Sequence, residues 1–234
     1  MSAPAAVILA GGLGTRLRPV VGASPKVLAP VAGRPFLEYL LRQLAGAGVR
    51  DVVLCTGFGA DAVQAAMGDG GRFGLGLRYS REIEPLGTGG ALRQALGLIS
   101  SGPVLVMNGD SFVRLPLPEL LAAHAHHRAW ATLLLSRVRD CARFGAVTMD
   151  ERGRIIGFDE KGKSGPGLVN AGVYLVERTV LAAIPVGSAV SLEKEVFPGL
   201  VGGLFGLPVD SDLVDIGTPE SFAAAQQVFA EVAR

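Results

Sequence analysis

The feature that most constrains the fold is a short apolar run that leads directly into a glycine-rich loop. Residues 5–9 read Ala-Ala-Val-Ile-Leu, and residues 10–19 continue as Ala-Gly-Gly-Leu-Gly-Thr-Arg-Leu-Arg-Pro. An uninterrupted apolar run of this length is typical of a central strand of a parallel sheet, buried on both faces. Glycines after such a strand let successive backbone N–H groups converge on an anion. The sequence therefore predicts a buried first strand with an anion-binding loop at its carboxyl end.

The rest of the chain alternates between strand and helix patterns. Behind Pro35, leucines follow the i, i+3, i+4, i+7 spacing of one helix face, at Leu37, Leu40, Leu41 and Leu44. Further strands are predicted at 49–54, 77–80, 103–107, 131–138, 169–176 and 213–216, and further helices at 60–67, 88–99, 117–128 and 219–232. Residues 146–149 and 154–158 flank a turn and predict a hairpin that adds antiparallel strands to the sheet.

This alternation predicts one α/β domain over residues 1–234. Its core is a doubly wound, mostly parallel, Rossmann-like sheet with an antiparallel insertion. In such sheets ligands lie outside the carboxyl ends of the strands, so the loops after Leu9 and Met107 are the places where a site is expected.

Composition argues against several classes of function. The formal net charge of +1 gives no general attraction for nucleic acid or an anionic membrane, so any phosphate site must be local. Cys55 and Cys141 have no second Cys or His at ligand spacing, which is typical of reduced thiols. The sequence shows neither a leader pattern nor an apolar run of membrane-spanning length. We expect a cytoplasmic protein that binds neither nucleic acid nor a membrane.

Histidine and aromatic residues suggest no further site. His124, His126 and His127 include an i, i+3 pair but have no other metal-binding side chain nearby, which favours a solvated helix face. Trp130 and the phenylalanines are not interleaved with basic residues, as base-stacking side chains usually are, and are expected in the core.

Two other phosphate-binding motifs do not fit their surroundings. Residues 12–17 lack the third glycine of a dinucleotide fingerprint, and the second strand ends at Leu54-Cys55-Thr56 without an acid for a ribose. Residues 157–164 match the sequence pattern of a P-loop. Gly165-Pro166-Gly167 follows, however, so no helix can begin there to hold a phosphate.

The motifs together resemble those of the sugar-1-phosphate nucleotidyltransferases. Residues 11–19 followed by Ser24-Pro25-Lys26 are similar to the signature of that family. The resemblance continues in the family's order through residues 84–90, Asn108-Gly109-Asp110, Phe144-Gly145, Glu160-Lys161, residues 170–174 and residues 215–220. Residues 34–41 and 191–198 are most similar to the D-glycero-α-D-manno-heptose 1-phosphate guanylyltransferases.

The resemblance implies a reaction and its partners. A guanylyl group would pass from GTP to D-glycero-α-D-manno-heptose 1-phosphate, giving GDP-heptose and pyrophosphate for surface-glycan synthesis, with Mg²⁺ as cofactor. Residues 1–138 would bind the nucleotide and residues 139–234 the sugar phosphate. Two alternatives stay open: another sugar 1-phosphate (mannose, glucose or N-acetylmuramate) with GTP, UTP or dTTP, and a catalytically silent sensor of sugar nucleotides. A homodimer also stays open.

Site residues follow from the same resemblance. The catalytic set is Arg16, Lys26, Asp110, Lys161 and Asp215, in which Asp110 and Asp215 hold Mg²⁺ and Lys161 holds the sugar phosphate. The nucleotide set is Leu9, Ala10, Gly11, Gly12, Gly14, Thr15, Glu82, Glu84, Pro85, Gly87, Thr88, Asn108 and Gly109. The sugar set is Gly145, Glu160, Asn170, Gly172 and Glu193. As Asp110 and Asp215 each end an apolar strand, their carboxylates are expected to meet at one edge of the sheet.

A carboxylate is the side chain that best reads guanine. The N1–H and N2–H₂ donors of guanine are adjacent, and one carboxylate accepts from both, whereas uracil and thymine present no such pair. Glu82 and Glu84 precede the segment that resembles the nucleotide pocket, and an i, i+2 pair in extended chain points the same way. Either of them is therefore a candidate guanine reader, with two solvated loop glutamates as the alternative.

Overall fold

The computed structural model describes residues 3–99, 102–159, 162 and 164–232. The strands are β1 (Ala6–Leu9), β2 (Pro30–Val31), β3 (Arg34–Pro35), β4 (Asp51–Thr56), β5 (Gly76–Arg81), β6 (Val104–Asn108), β7 (Ser111–Phe112), β8 (Ala131–Val138), β9 (Val147–Met149), β10 (Ile155–Phe158), β11 (Gly167–Val176), β12 (Leu204–Val209) and β13 (Val214–Asp215). The α-helices are α1 (Arg18–Val21), α2 (Phe36–Gly46), α3 (Ala60–Met67), α4 (Gly87–Ala95), α5 (Leu117–His127), α6 (Arg178–Ala182) and α7 (Pro219–Val232). Within these described ranges, no helix has the length and apolar character needed to cross a bilayer.

A seven-stranded sheet in the order β12-β8-β11-β6-β1-β4-β5 forms the centre of the molecule. β1 lies between β4 and β6 and is parallel to both, and β4 is parallel to β5. β11 is antiparallel to its neighbours β6 and β8, whereas β12 runs parallel to β8. The predicted α/β class, with a mostly parallel, Rossmann-like sheet between helices, is confirmed.

Both faces of the central strands are buried. Successive residues of a strand point to opposite faces, and Val7 and Ile8 accordingly belong to two different apolar clusters, one on each side of the sheet. The leucines of the predicted first crossover helix are fully buried in α2, on the same side as Ile8. Burial on both faces explains why β1 reads as a continuous apolar run.

The hairpin lies apart from the main sheet. β9 and β10 pair antiparallel as a separate two-stranded sheet, and a single bridge from Arg154 to Phe205 links the hairpin to β12. The prediction that the hairpin adds strands to the central sheet is therefore wrong. The antiparallel strand of that sheet is the long β11, inserted between β6 and β8. Alternation of apolar and polar side chains every two residues identifies a strand. Which strand it pairs with depends on contacts between segments distant in sequence.

The predicted strand at 213–216 is also placed differently. β13 covers Val214 and Asp215 and pairs antiparallel with β7, outside the central sheet. Asp215 lies opposite Ser111 in this ribbon, and the Ile216 N–H donates to the carbonyl oxygen of Asp110 at 3.0 Å. The ribbon thus brings the backbone of one predicted metal ligand beside that of the other.

Two expectations about side-chain burial are wrong. His124 is buried, with Nδ1 2.9 Å from Thr132 Oγ1 and Nε2 3.1 Å from Glu177 Oε1, because α5 packs against β8. Trp130 is 51% exposed, and Phe158 is also exposed, so neither belongs to the core. His126 lies on the solvated face of α5 as expected.

Candidate active site

A cavity of about 300 Å³ opens at the carboxyl ends of β1 and β6. Its walls come from the glycine-rich loop, the start of α4 and the segment after β6. A site at the carboxyl ends of neighbouring parallel strands is where a doubly wound sheet is expected to bind its ligand. From the predicted nucleotide set it is lined by Leu9, Gly11, Gly12, Glu82, Pro85, Gly87, Thr88, Asn108 and Gly109. From the predicted catalytic set it is lined by Lys26 and Asp110. The structure therefore brings most of the sequence-predicted nucleotide residues together around one space.

The remaining residues of the nucleotide set lie around this cavity. Ala10 is buried and donates its N–H to the Cys55 carbonyl at 2.8 Å, so it anchors the loop to β4. Gly14 is half-buried and Thr15 is exposed on the outer part of the same loop. Glu84 is exposed and lines a neighbouring cavity of about 460 Å³.

Glycine is required at two places where backbone or carboxylate approaches closely. A Cβ on Gly109 would lie 2.5 Å from the Leu9 carbonyl oxygen, to which the Gly109 N–H donates at 3.0 Å. A Cβ on Gly11 would lie 2.7 Å from Glu82 Oε1. A side chain at Gly109 would push the backbone of β1 away, and one at Gly11 would displace the Glu82 carboxylate.

Glu82 is the predicted guanine reader that reaches the first cavity. β5 ends at Arg81 and the chain bends at residues 83–84, so the expected extended i, i+2 arrangement of Glu82 and Glu84 does not form. Glu82 Oε2 accepts the Leu86 N–H at 3.0 Å, which fixes the carboxylate. Burial raises the pKa of Glu82, and the hydrogen bond from Leu86 opposes that shift.

Lys26 and Asp110 form an ion pair on the cavity wall. Lys26 Nζ contacts Asp110 Oδ2, and Ser111 Oγ lies 3.2 Å from Asp110 Oδ1. The Asp110 side chain remains 33% exposed, so its carboxylate is accessible from the cavity. A cation and an accessible carboxylate side by side are suited to a ligand that carries both phosphate and a divalent cation.

Asp215 is held by several protein donors. Both of its oxygens lie 3.2 Å from Arg143 Nη2, and Oδ1 also accepts from the Gly217 N–H and from Ser221 Oγ, each at 2.9 Å. Arg16 comes near the same turn, since its Nη2 would lie 3.9 Å from a Cβ on Gly217. The four members of the predicted catalytic set that the structure describes are thus divided between the Lys26–Asp110 pair and the turn that contains Asp215 and lies near Arg16.

The donor set around Asp110 fits Mg²⁺. This ion usually binds one or two carboxylates and completes its shell with phosphate oxygens and water. In the described part of the chain no group of three or more Asp, Glu, His or Cys side chains is placed to hold a metal. Each carboxylate now contacts a protein cation, Asp110 the Lys26 ammonium and Asp215 the Arg143 guanidinium, so each would exchange that contact for the metal ion. Two carboxylates with substrate phosphates would meet the requirement of Mg²⁺.

Three residues of the predicted sugar set gather beside the start of α4. Asn170 Nδ2 donates to Tyr174 Oη at 3.0 Å, and its Oδ1 accepts the Gly172 N–H at 2.8 Å. Glu193 accepts from Tyr174 Oη at 3.2 Å and from Thr88 Oγ1 at 2.7 Å. Asn170, Gly172 and Glu193 therefore form one cluster that touches the first cavity at Thr88.

The other residues predicted to contact the sugar or its phosphate are Gly145, Glu160 and Lys161. Gly145 is buried in a turn, at a φ of 81°, two residues after Arg143. Glu160 and Lys161 lie outside the residues that the structure describes.

Sequence reasoning missed three side chains in this region. Arg143 and Ser221 bind Asp215, and Tyr174 joins Asn170 to Glu193. Arg143 directly precedes the Phe144-Gly145 motif, and Tyr174 is the last residue of the 170–174 motif. Their positions next to or within a motif could have marked both as candidate site residues. Ser221 directly follows the 215–220 motif, but a serine in the first turn of a helix usually serves the helix itself, which hid its contact with Asp215.

The start of α4 packs tightly on the segment before Leu192. The Gly89 N–H donates to the Val190 carbonyl at 2.8 Å, and a Cβ on Gly90 would lie 2.2 Å from the Ser188 carbonyl oxygen. This close approach of two backbones places Thr88 beside Glu193.

We expect Gly90→Ala to lower the free energy of unfolding by about 1–3 kcal/mol, the usual cost of overpacking, even though alanine favours a helix. Gly97→Ala is the matched control, because a Cβ there meets nothing within 4 Å, and it is expected to leave the free energy of unfolding unchanged or raise it by up to about 1 kcal/mol. Urea unfolding of both variants measures the difference. Equal midpoints for Gly90→Ala and wild type would contradict the packing described for α4.

The chain matches the family described as Nucleotidyl transferase over residues 5–231. It belongs to that family. A mannose-1-phosphate guanylyltransferase of Mycobacterium tuberculosis is 42% identical over 222 residues, which are 93% of this chain and 62% of the mycobacterial protein. The chain thus spans less than two thirds of that relative's length.

Two further relatives match this chain along nearly their whole length. A D-glycero-alpha-D-manno-heptose 1-phosphate guanylyltransferase of Aneurinibacillus thermoaerophilus is 34% identical over 226 residues, 95% of this chain and 96% of that protein. The crystal structure of HddC from Yersinia pseudotuberculosis, complexed with GMP-PN, has a TM-score of 0.88 and 30% identity, and covers 97% of this chain and 99% of that one. The predicted resemblance to nucleotidyltransferases, and to guanylyltransferases within them, is confirmed as a similarity.

Proposed function

We propose that the protein is a sugar-1-phosphate guanylyltransferase. A phosphate oxygen of the sugar 1-phosphate attacks the α-phosphorus of GTP, the bond from that phosphorus to the bridging β-phosphate oxygen breaks, and pyrophosphate leaves. The observation that carries the proposal is the Lys26–Asp110 pair on the wall of a cavity formed by the glycine-rich loop and Glu82. The relatives named above as guanylyltransferases support the same reaction.

The side chains of this chain act mainly by position and charge, since the transfer needs no covalent nucleophile. Lys26 and Arg16 would bind phosphate oxygens and neutralise the charge that develops between the reacting groups. Lys161 would hold the phosphate of the sugar. Asp110, together with Asp215, would hold Mg²⁺, which supplies further positive charge to the triphosphate.

The proposed sugar is D-glycero-α-D-manno-heptose 1-phosphate. The heptose enzyme of Aneurinibacillus thermoaerophilus supports it because that protein and this chain match over nearly their whole lengths. Mannose 1-phosphate is the second candidate, favoured by the higher identity, 42%, to the mycobacterial enzyme. Both sugars have the manno configuration around the ring, so we expect glucose 1-phosphate, the C2 epimer of mannose 1-phosphate, to be the poorer substrate.

Pyrophosphate release with the three sugar 1-phosphates, each paired with GTP, UTP and dTTP, tests this proposal. We expect GTP with a manno-configured sugar to give the highest kcat/KM. Turnover that is highest with UTP or dTTP would contradict the guanylyl assignment, and highest turnover with glucose 1-phosphate would contradict the assignment of the sugar.

Glu82 is expected to select guanine. Wild type should use GTP about tenfold or more better than ITP, which lacks the N2 amine, because a hydrogen bond to a carboxylate contributes about 1.5–3 kcal/mol. Glu82→Gln should lose much of that preference. Glu84→Gln is the matched control and should keep it, because Glu84 lies outside the first cavity. Equal use of GTP and ITP by wild type would rule this reading mechanism out.

The same side chain predicts a pH dependence. Burial raises the pKa of Glu82 above the ordinary value of a glutamate, so its acceptor form is lost earlier than usual as the pH falls. We expect KM for GTP to rise on the acid side, and the rise to be absent in Glu82→Gln. If KM for GTP rose equally at low pH in wild type and in Glu82→Gln, the titrating group would be another residue.

A further inference from the structure

Tyr174 is a fully buried side chain whose hydroxyl lies between two polar side chains of the sugar cluster. It belongs to β11, and its ring packs edge-on against Phe197 with 5.0 Å between ring centroids. Oη accepts from Asn170 Nδ2 at 3.0 Å and donates to Glu193 Oε1 at 3.2 Å. The Asn108 side chain is a third hydrogen-bond partner of this hydroxyl. A phenylalanine would fill the same apolar space, so the hydroxyl is present for its hydrogen bonds.

The direction of each hydrogen bond is fixed by its surroundings. Burial raises the pKa of Tyr174 well above the ordinary value, and the carboxylate of Glu193 raises it further, so the phenol keeps its proton and donates to Glu193. The Asn170 amide is oriented because its Oδ1 accepts the Gly172 N–H at 2.8 Å. Asn170 then keeps a second amide N–H to offer to a ligand.

Glu193 is in turn tied to the nucleotide cavity. Its Oε2 accepts from Thr88 Oγ1 at 2.7 Å and from Ser191 Oγ at 3.2 Å, and Thr88 lines the cavity. The Thr88 hydroxyl also accepts the Leu192 N–H at 2.8 Å, which holds the segment bearing Glu193 against α4. One chain of hydrogen bonds therefore runs from Asn170 through Tyr174 and Glu193 to the start of α4.

We propose that Tyr174 is a positioning residue for the sugar 1-phosphate: its hydroxyl sets the distance between the second amide N–H of Asn170 and the carboxylate oxygens of Glu193. A donor and an acceptor held at a fixed separation match hydroxyl groups on a sugar ring, each of which can accept and donate. Tyr174 itself does not touch the sugar. This inference rests on the proposed function, because it assigns Asn170 and Glu193 to the sugar.

The test is Tyr174→Phe, assayed with GTP and with whichever of heptose, mannose or glucose 1-phosphate wild type uses best. We expect KM for the sugar 1-phosphate to rise about tenfold, the scale of a hydrogen bond to a charged group, while KM for GTP changes less than about twofold. Tyr39→Phe is the matched control: its hydroxyl donates to the Val31 carbonyl at 2.8 Å, outside the cluster, and its kinetics should equal those of wild type.

A double-mutant cycle separates positioning from a general effect on the fold. If Tyr174 acts through Glu193, then Tyr174→Phe should add less than about twofold to the sugar KM of Glu193→Gln. Full additivity, an unchanged sugar KM in Tyr174→Phe, or equal rises in both KM values would overturn the proposal. Failure of Tyr174→Phe to fold would overturn it too, because the hydroxyl would then serve the fold. Absence of turnover in wild type with every sugar 1-phosphate would instead refute the proposed function.

Discussion

We expect Asp110→Asn to lower kcat by at least about 100-fold, because one contact to a reacting or metal-bound oxygen is commonly worth that much in rate. Asparagine keeps the shape of the side chain, and the Asp110 carbonyl can still accept the Ile216 N–H. The fold should therefore be preserved while the negative charge facing Lys26 is lost. Steady-state kinetics over a range of Mg²⁺ concentrations measure the effect.

Asp61→Asn is the matched control for this prediction. Asp61 pairs with Arg81 at 2.7 Å on the surface and lines neither of the two cavities described above, so its variant should have the kinetics of wild type. An Asp110→Asn enzyme that kept half of the wild-type kcat at saturating Mg²⁺ would contradict the role given to Asp110.

Lys26→Met is expected to have a comparable effect, about 100- to 1000-fold on kcat/KM for GTP. The change removes the cation that contacts Asp110 but keeps most of the apolar stem. The remaining Asp110 carboxylate would then face the phosphates without its partner, which adds repulsion to the lost attraction.

Combining the two substitutions tests whether they act as a unit. In Lys26→Met/Asp110→Asn the losses should be far from additive, so that the double variant is within about tenfold of the poorer single variant. Losses that multiply in full would show that Lys26 and Asp110 act independently. Circular dichroism and thermal melting of all three variants check that the fold is kept.

Much of the cavity at the carboxyl ends of β1 and β6 could be predicted because its signals are local in sequence. The buried run at residues 5–9 and the glycines after it correspond to β1 and to the loop that lines the cavity. Thr88 and Gly109 also lie at the cavity, as their motifs indicated. Each of these residues is placed by the strand or helix that begins or ends beside it.

The contacts of residues 139–234 were harder to predict because they join segments distant in sequence. The hairpin β9–β10 reads like any strand pair, and nothing in its sequence shows that it stays outside the central sheet. The Arg143–Asp215 ion pair and the Tyr174–Glu193 hydrogen bond depend on how separate segments pack together. His124 looked like a surface residue because its partners, the buried Thr132 and the half-buried Glu177, lie on later parts of the chain.

The central claim, guanylyl transfer to a sugar 1-phosphate, is tested most directly by following the phosphates of labelled GTP. Purified protein is incubated with Mg²⁺, the best sugar 1-phosphate, and GTP labelled at either the α- or the γ-phosphate, and the products are separated. We predict that the α-label appears in a GDP-sugar and the γ-label in pyrophosphate, in equal amounts. Release of the γ-label as inorganic phosphate or its transfer to the sugar, or no turnover at all, would contradict the account.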